Sequence, residues 1–218
     1  MSTPRSFGNV LLSALLLLPA AAHPAEALSA AQARHGLEAQ VASVRLAAVE
    51  RLGEIGGPAD AQRLVARLDD ADERVRGSAT SALWQIWSRS GDPAIDALFA
   101  RGLEQMRSVR LEEAAVTFDT VVRRKPAFAE GWNKRATVHY LLGRNAESLR
   151  DCAEVLKRNP IHFGALSGAA QNHLALGEPE RALAYFRRAL KVNPHLENAA
   201  EAVQMLEEQL GARRRSTT

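Results

Sequence analysis

With a single cysteine in 218 residues, Cys152, the chain has no intrachain disulfide and no cysteine-only metal site. Aromatic residues make up only 5% of it, so a core must be assembled mostly from alanine, leucine and valine. That composition, with arginine and glutamate scattered through it, favours helices over strands, and no run of alternating β-branched residues opposes it. Charge of one sign is missing as well. The formal net charge is +3, but Arg5 cancels Glu26 and the excess sits in Arg213, Arg214 and Arg215. Residues 28–210 are therefore neutral, which argues against a nucleic-acid partner.

The motifs of catalysis are also missing. There is no H-E-x-x-H, no phosphate-cradling G-x-G-x-x-G or G-x-x-x-x-G-K-[ST], and no G-x-S-x-G. The expectation is a protein that is not an enzyme, with no cofactor and no metal. Long apolar runs are limited to Val10–Ala22, too short to span a bilayer comfortably. One positive charge, Arg5, precedes that run and two A-x-A patterns follow it, ending at Ala22 and Ala27. Residues 1–27 are read as a secretory signal peptide, leaving no transmembrane span in the mature chain and sending it across the inner membrane, to the periplasm.

What is present is periodicity. Pro126, Pro160 and Pro194 stand 34 residues apart. Eight residues before each comes Phe118, Cys152 or Phe186, and four before that Ala114, Ser148 or Ala182. The period and the A-x3-F…P register resemble the tetratricopeptide repeat, whose opening W-x2-L-G-x2-Y reads here as Trp132, Arg135, Ala136 and His139. Counting back from the prolines gives repeats at 95–128, 129–162 and 163–196. Helix A of each carries Leu98, Trp132 or Leu166 at its fourth position and a small residue, Gly102, Ala136 or Ala170, at its eighth. Helix B buries Val121, Val155 or Ala189 beside the Phe/Cys position. Ala199, Val203, Leu206 and Leu210 then form the apolar stripe of a cap helix, expected to end at Gly211. The lead-in at 86–106 resembles that of short exported bacterial tetratricopeptide proteins.

The stretch before the repeats predicts three helices: one from Leu28 to Gly56 with Leu37, Val41, Val44, Ala48 and Leu52 on its inner face, one over Ala59–Leu68, and one over Arg74–Ser88. Val44/Val75, Ala48/Ala79, Leu52/Leu83 and Ile55/Ile86 share an offset of 31, and VRLAAVERLGEIGGP resembles a short HEAT-like repeat of the kind in bilin-lyase-type solenoids. Two such units cannot stand alone. Residues 28–94 are expected to pack on the next repeats as an N-terminal cap, with Trp84 and Trp87 as anchors. The fold expected is all-α: a right-handed α-solenoid of three TPR helix pairs (95–196) with a C-terminal cap helix and basic tail (197–218), preceded by HEAT-like helices.

The tetratricopeptide resemblance implies a partner groove lined by positions 2, 5, 9 and 12 of each helix A. The candidates are Phe99, Leu103 and Met106; Asn133, Thr137 and Tyr140; and Ser167 and Gln171. Chaperone-binding relatives clamp a terminal carboxylate with Lys, Asn and Arg. Phe99, Leu103, Gly164 and Gly168 stand here instead, which disfavours a co-chaperone role. Gly164 and Gly168 leave two readings open, packing against the second repeat or a flat groove floor. His139 and His173, 34 apart, fall at an aromatic packing site of the family, and Cys152 at its phenylalanine position. Arg123, Lys157 and Lys191 share a repeat position in the last turn of helix B, where cations complement the helix dipole. The function implied is a non-catalytic protein- or peptide-binding scaffold in the bacterial cell envelope; the alternative is a structural subunit of an envelope complex. Neither the partner nor the oligomeric state is legible.

Overall fold

Eleven α-helices and one short 3-10 turn account for residues 27–216, the part of the chain that the computed structural model describes, and no strand occurs among them. The expected signal peptide therefore lies outside the described residues but for its last one. α1 (Ala30–Gly36), α2 (Ala42–Ile55), α3 (Pro58–Val65) and α4 (Glu73–Trp87) precede three helix pairs: α5 (Pro93–Arg107) with α6 (Leu111–Arg124), α7 (Ala129–Leu141) with α8 (Asn145–Arg158), and α9 (Phe163–Ala175) with α10 (Pro179–Val192). α11 (Glu197–Ser216) closes the array. No helix among the described residues is long and apolar enough to cross a membrane.

The starts of α4 and α5 are set by aspartates. Asp72 accepts from the backbone N–H groups of Arg74 and Val75, and Asp92 from those of Ala94 and Ile95, with Pro93 in the first turn. Within each pair a small residue on helix A meets helix B sixteen residues later. A Cβ added at Gly102 would lie 2.6 Å from Phe118 Cζ, so only glycine admits that ring. Ala136 packs with Cys152, and Ala170 with Phe186. Phe118, Val121, Val155 and Ala189 are fully buried, as the 34-residue register predicts.

The turn from helix A to helix B is the same three times. Arg110, Arg144 and Glu178 each donate a 2.8 Å backbone N–H bond to the carbonyl five residues earlier, closing the helix through a residue of positive φ. That residue is Gly143 (φ 74°) or Gly177 (φ 74°) in the second and third pairs, but Val109 (φ 57°) in the first.

Three expectations need correction. The stripe from Leu37 to Leu52 is not one helix: the chain turns after Gly36, Leu37 is buried beyond α1, and Val41 and Val44 are exposed. Gly211 does not end the cap helix, which continues to Ser216 because glycine tolerates helical backbone and nothing after it breaks the ladder. Nor do the N-terminal helices sit as a cap on the end of the repeats, although Trp84 and Trp87 do anchor them to the repeats. α4 lies along the edge of the array where the three proline-bearing turns emerge: Arg76 and Thr80 face residues 193–197, Trp84 and Trp87 meet His162 and Phe163, and Arg89 and Ser90 face residues 125–129. Asp69 Oδ1 adds a 3.1 Å contact to His195 Nε2.

Candidate partner-binding site

Helices α7 and α9 stand side by side, and between them Asn133, Thr137, Tyr140, Gly164, Gly168 and Gln171 line a cleft of about 50 Å³. Ser148, Cys152 and Asn172 form its deeper wall. Gln171 also lines a second, wider cleft of about 530 Å³ between α9 and α11, with Ser167, Leu174, His195, Leu196 and Asn198. Four of the expected groove residues thus meet in one cleft, and Ser167 and Gln171 continue into the next.

The other candidates fare differently. Phe99 is not a groove residue: it is 4% exposed, edge-on to Phe118 and Phe128 at 5.8 and 5.2 Å, and belongs to the first pair's core. The reason is steric: Gly102 admits the Phe118 ring against α5, and Phe99 packs edge-on with it. Leu103 and Met106 are half-buried against the same core and line neither cleft. Asn133 is buried, and its amide donates to both Glu130 oxygens at 3.2 Å, so that N–H pair is already committed.

Glu130 was the residue whose importance the repeat pattern hid. It is fully buried, as is His162, whose Nε2 lies 2.8 Å from Glu130 Oε2. The Ala165 N–H donates to His162 Nδ1 at 3.1 Å, so that nitrogen carries no proton and Nε2–H donates to the carboxylate. Lys134 Nζ, 3.0 Å from Oε1, supplies the balancing charge. Burial pushes the Glu130 carboxyl up, but the His162 hydrogen bond and the Lys134 ammonium outweigh it and hold the group below the ordinary carboxylate range. His162 is sandwiched in turn, stacked on Trp87 at 4.5 Å and edge-on to Trp84. Lys134 also sits over the Trp84 ring.

Gly164 now has its explanation. A Cβ there would stand 2.5 Å from Trp84 Cη2 and 3.3 Å from His162 Cε1, so the closest approach is to the N-terminal helices. Gly168 faces Cys152 Sγ at an ordinary distance, which is contact with the second repeat. Cys152 is buried, and its thiol is pushed up to about 12 by desolvation and the neighbouring Asp151. It is a packing residue.

The polar wall is fully used except at one atom. Ser148 Oγ donates to the Ala136 carbonyl and accepts from Asn172 Nδ2, which also donates to Gly168 O, each at 2.8 Å. The two acceptors fix the amide's orientation and leave Asn172 Oδ1 buried with no partner. His139 and His173 each meet a carboxylate: Nε2 of His139 lies 3.8 Å from Asp151, and Nδ1 of His173 lies 2.6 Å from Glu178. Burial lowers the His139 pKa. Arg135, at the family's leucine position, spans two repeats by bonding Asp119 and, through two nitrogens, Asp151.

A family profile described as tetratricopeptide repeat matches residues 163–196, the α9–α10 pair with the turn that follows it. That one pair is similar to a tetratricopeptide repeat. The HEAT-repeat profile matches residues 6–84, including α1–α3 and most of α4. A TPR repeat-containing protein of Rhizobium etli is 34% identical over 128 residues, 59% of this chain. The chain spans 63% of that relative's length. Among solved structures, the first TPR domain of Spaghetti (RPAP3) bound to an HSP90 peptide has a TM-score of 0.52 at 20% identity, covering 54% of this chain and 93% of its own. The Sgt2 TPR domain of Aspergillus fumigatus has a TM-score of 0.54 at 13% identity, covering 58% and 85%. At such identities these structures bear on the fold alone, an all-α TPR-like solenoid.

Proposed function

We propose that the chain is a non-catalytic scaffold of the bacterial cell envelope that binds a protein or peptide segment between α7, α9 and α11. The observation that carries this reading is Gln171, shared by two adjoining clefts, so that Thr137, Tyr140, Ser167, Gln171 and Leu174 form one continuous strip. The strip offers apolar contact at Tyr140 and Leu174 and hydrogen-bonding groups at Thr137, Ser167 and Gln171, the mixture that suits a segment held by side-chain anchors and backbone bonds. The TPR domain of Spaghetti (RPAP3) in complex with an HSP90 peptide supports a peptide as the kind of ligand this fold accepts. The envelope assignment rests on the reading of residues 1–27 as a signal peptide.

A photo-crosslinking amino acid at position 171 tests it, with one at exposed Val116 as the control. In envelope extracts, a discrete adduct at 171 and none at 116 is expected. Equal adducts, or none at 171, would overturn the reading. One observation favours the alternative, a structural subunit held by its HEAT-like end: Val44 and Ile55 lie close to one face of α2 and are both exposed. A fixed-stoichiometry complex lost on Val44→Asp would favour that alternative.

A further inference from the structure

A separate cleft of about 350 Å³ lies where the end of α4 and the start of α3 face the first two inter-repeat turns. Its apolar walls are Pro58, Ile86, Trp87, Phe128 and Ile161, and its charged groups are Arg89, Lys125 and Arg158. No aspartate or glutamate lines it. Arg158 pairs with Glu154 at 2.7 Å, a carboxylate it shares with Lys157. Arg89 is held rigidly, its two terminal nitrogens donating at 2.7 Å to the Gly53 and Gly56 carbonyls, but carbonyl oxygens leave its charge uncompensated. Lys125 is half-buried, and its ammonium has no hydrogen bond or ion pair among the described residues. Two uncompensated cations thus share one apolar-walled cleft.

We infer that this cleft binds an internal acidic peptide segment, one Asp or Glu carboxylate meeting Lys125 and Arg89 while an adjacent aliphatic or aromatic side chain lies against Trp87 and Ile161. The volume is that of a small-ligand pocket and accommodates about two side chains. A carboxylate there replaces water around a half-buried ammonium with an opposite charge, and the aromatic wall raises the value of that contact by excluding solvent. The occupant's anchor is a side-chain carboxylate flanked by apolar bulk, so a neutral segment of the same shape gains only the apolar part. This rests on the protein-binding reading above, but none of the cleft's residues belongs to the α7–α9–α11 strip.

The test uses the full chain, immobilised, and two pools of acetylated, amidated hexapeptides. One pool carries Asp or Glu beside Leu, Ile or Phe; its twin carries Asn or Gln instead. Retention is read by mass spectrometry. The acidic pool should be retained over its twin, and Lys125→Glu should reduce that retention about tenfold with the melting temperature kept. Raising ionic strength should weaken it likewise. Lys125→Gln, milder at the end of α6, should give an intermediate loss and serves if Lys125→Glu does not fold. Equal retention of both pools, no retention of the acidic pool, or retention indifferent to Lys125 would overturn the inference. An intact adduct at position 171 alongside that failure would leave the groove reading standing. Lys125-dependent retention without the adduct would do the reverse.

Discussion

In the repeat array each helix pair closes on a steric fit, Gly102 under Phe118, Ala136 against Cys152, Ala170 against Phe186, with one fork from Arg135 to Asp151 added in the second, whereas the N-terminal helices combine close fits at Gly36 and Gly53 with two arginine–aspartate forks. Arg34 bonds Asp60 through two nitrogens at 2.6 and 3.2 Å, and Arg45 bonds Asp70 at 2.7 and 2.6 Å, with both aspartates almost fully buried. The hydrogen bonds from those arginines, more than any other influence, hold both carboxyls below their ordinary range. A steric fit repeats with the chain and so leaves a period in the sequence. A fork between residues about 25 apart leaves none. The two regions then meet at a third kind of contact, the buried Glu130–His162 pair under two tryptophans, which belongs to neither pattern.

Breaking that junction should have the largest effect. His162→Ala leaves the Glu130 carboxylate buried with only Lys134 and Asn133, removes the acceptor that caps α9, and strips the face on which Trp87 stacks. A loss of about 3–5 kcal/mol is expected, as for other buried pairs deprived of one partner, measured by urea denaturation. The pH dependence has a definite sign. Glu130, Asp60 and Asp70 have folded pKa values below their unfolded ones, so their stabilisation is complete above the unfolded carboxylate range, about 4. It is lost as pH falls through the folded values. A midpoint that stayed constant from neutral pH down to the acid limit would show that these carboxylates are not ionised in the fold.

Trp84→Ala sharpens the comparison by asking whether the two regions melt together. Trp84 lies edge-on to Trp87, His162 and Phe163 at 5.3–5.5 Å and fills the space that Gly164 leaves. The ring is only half-buried, so about 3 kcal/mol is expected, the lower end for aromatic truncation. If α4 is the strap that joins the repeats along their turns, the loss should move a single unfolding transition. Two separated transitions, with protease cutting near residues 88–92, would mean that the N-terminal helices fold apart from the array.

How much of this was legible follows from the kind of contact. The repeat helices, their small residues and Val121, Val155 and Ala189 were readable because each recurs at 34 residues. Thr137, Tyr140 and Gln171 came with the same register. Phe99 was misread because position 5 was taken to face the groove in every repeat, while Gly102 draws Phe118 inward only in the first. Asn133 lines the cleft as the register implied, but its amide is committed to Glu130, and nothing local announces that Glu130, three residues before it, is buried. The partner that buries it, His162, is 32 residues away in a turn. The course of α4 along the turns was hidden too, although Gly164 was a signal. The space that Gly164 leaves is filled by Trp84, which comes from outside the repeats.

The smallest expected effect concerns the turn where the first repeat departs from the other two. Val109, Gly143 and Gly177 occupy equivalent positions with φ of 57°, 74° and 74°, and the same backbone bonds surround all three. Left-handed backbone costs an L-residue roughly 1–2 kcal/mol, and a β-branched side chain is among the least tolerant. Val109 recovers little from burial, being 76% exposed. Val109→Gly should therefore stabilise the chain by about 1 kcal/mol, the relief of strain exceeding the entropy that glycine loses on folding. Gly143→Val should destabilise it by about as much. A Cβ at Gly143 would meet nothing within 4 Å, so its penalty is purely one of backbone. Thermal denaturation of the two variants side by side should show midpoints displaced in opposite directions. Displacements of the same sign would mean that the turns are not equivalent and that the valine holds its position through contacts other than the backbone.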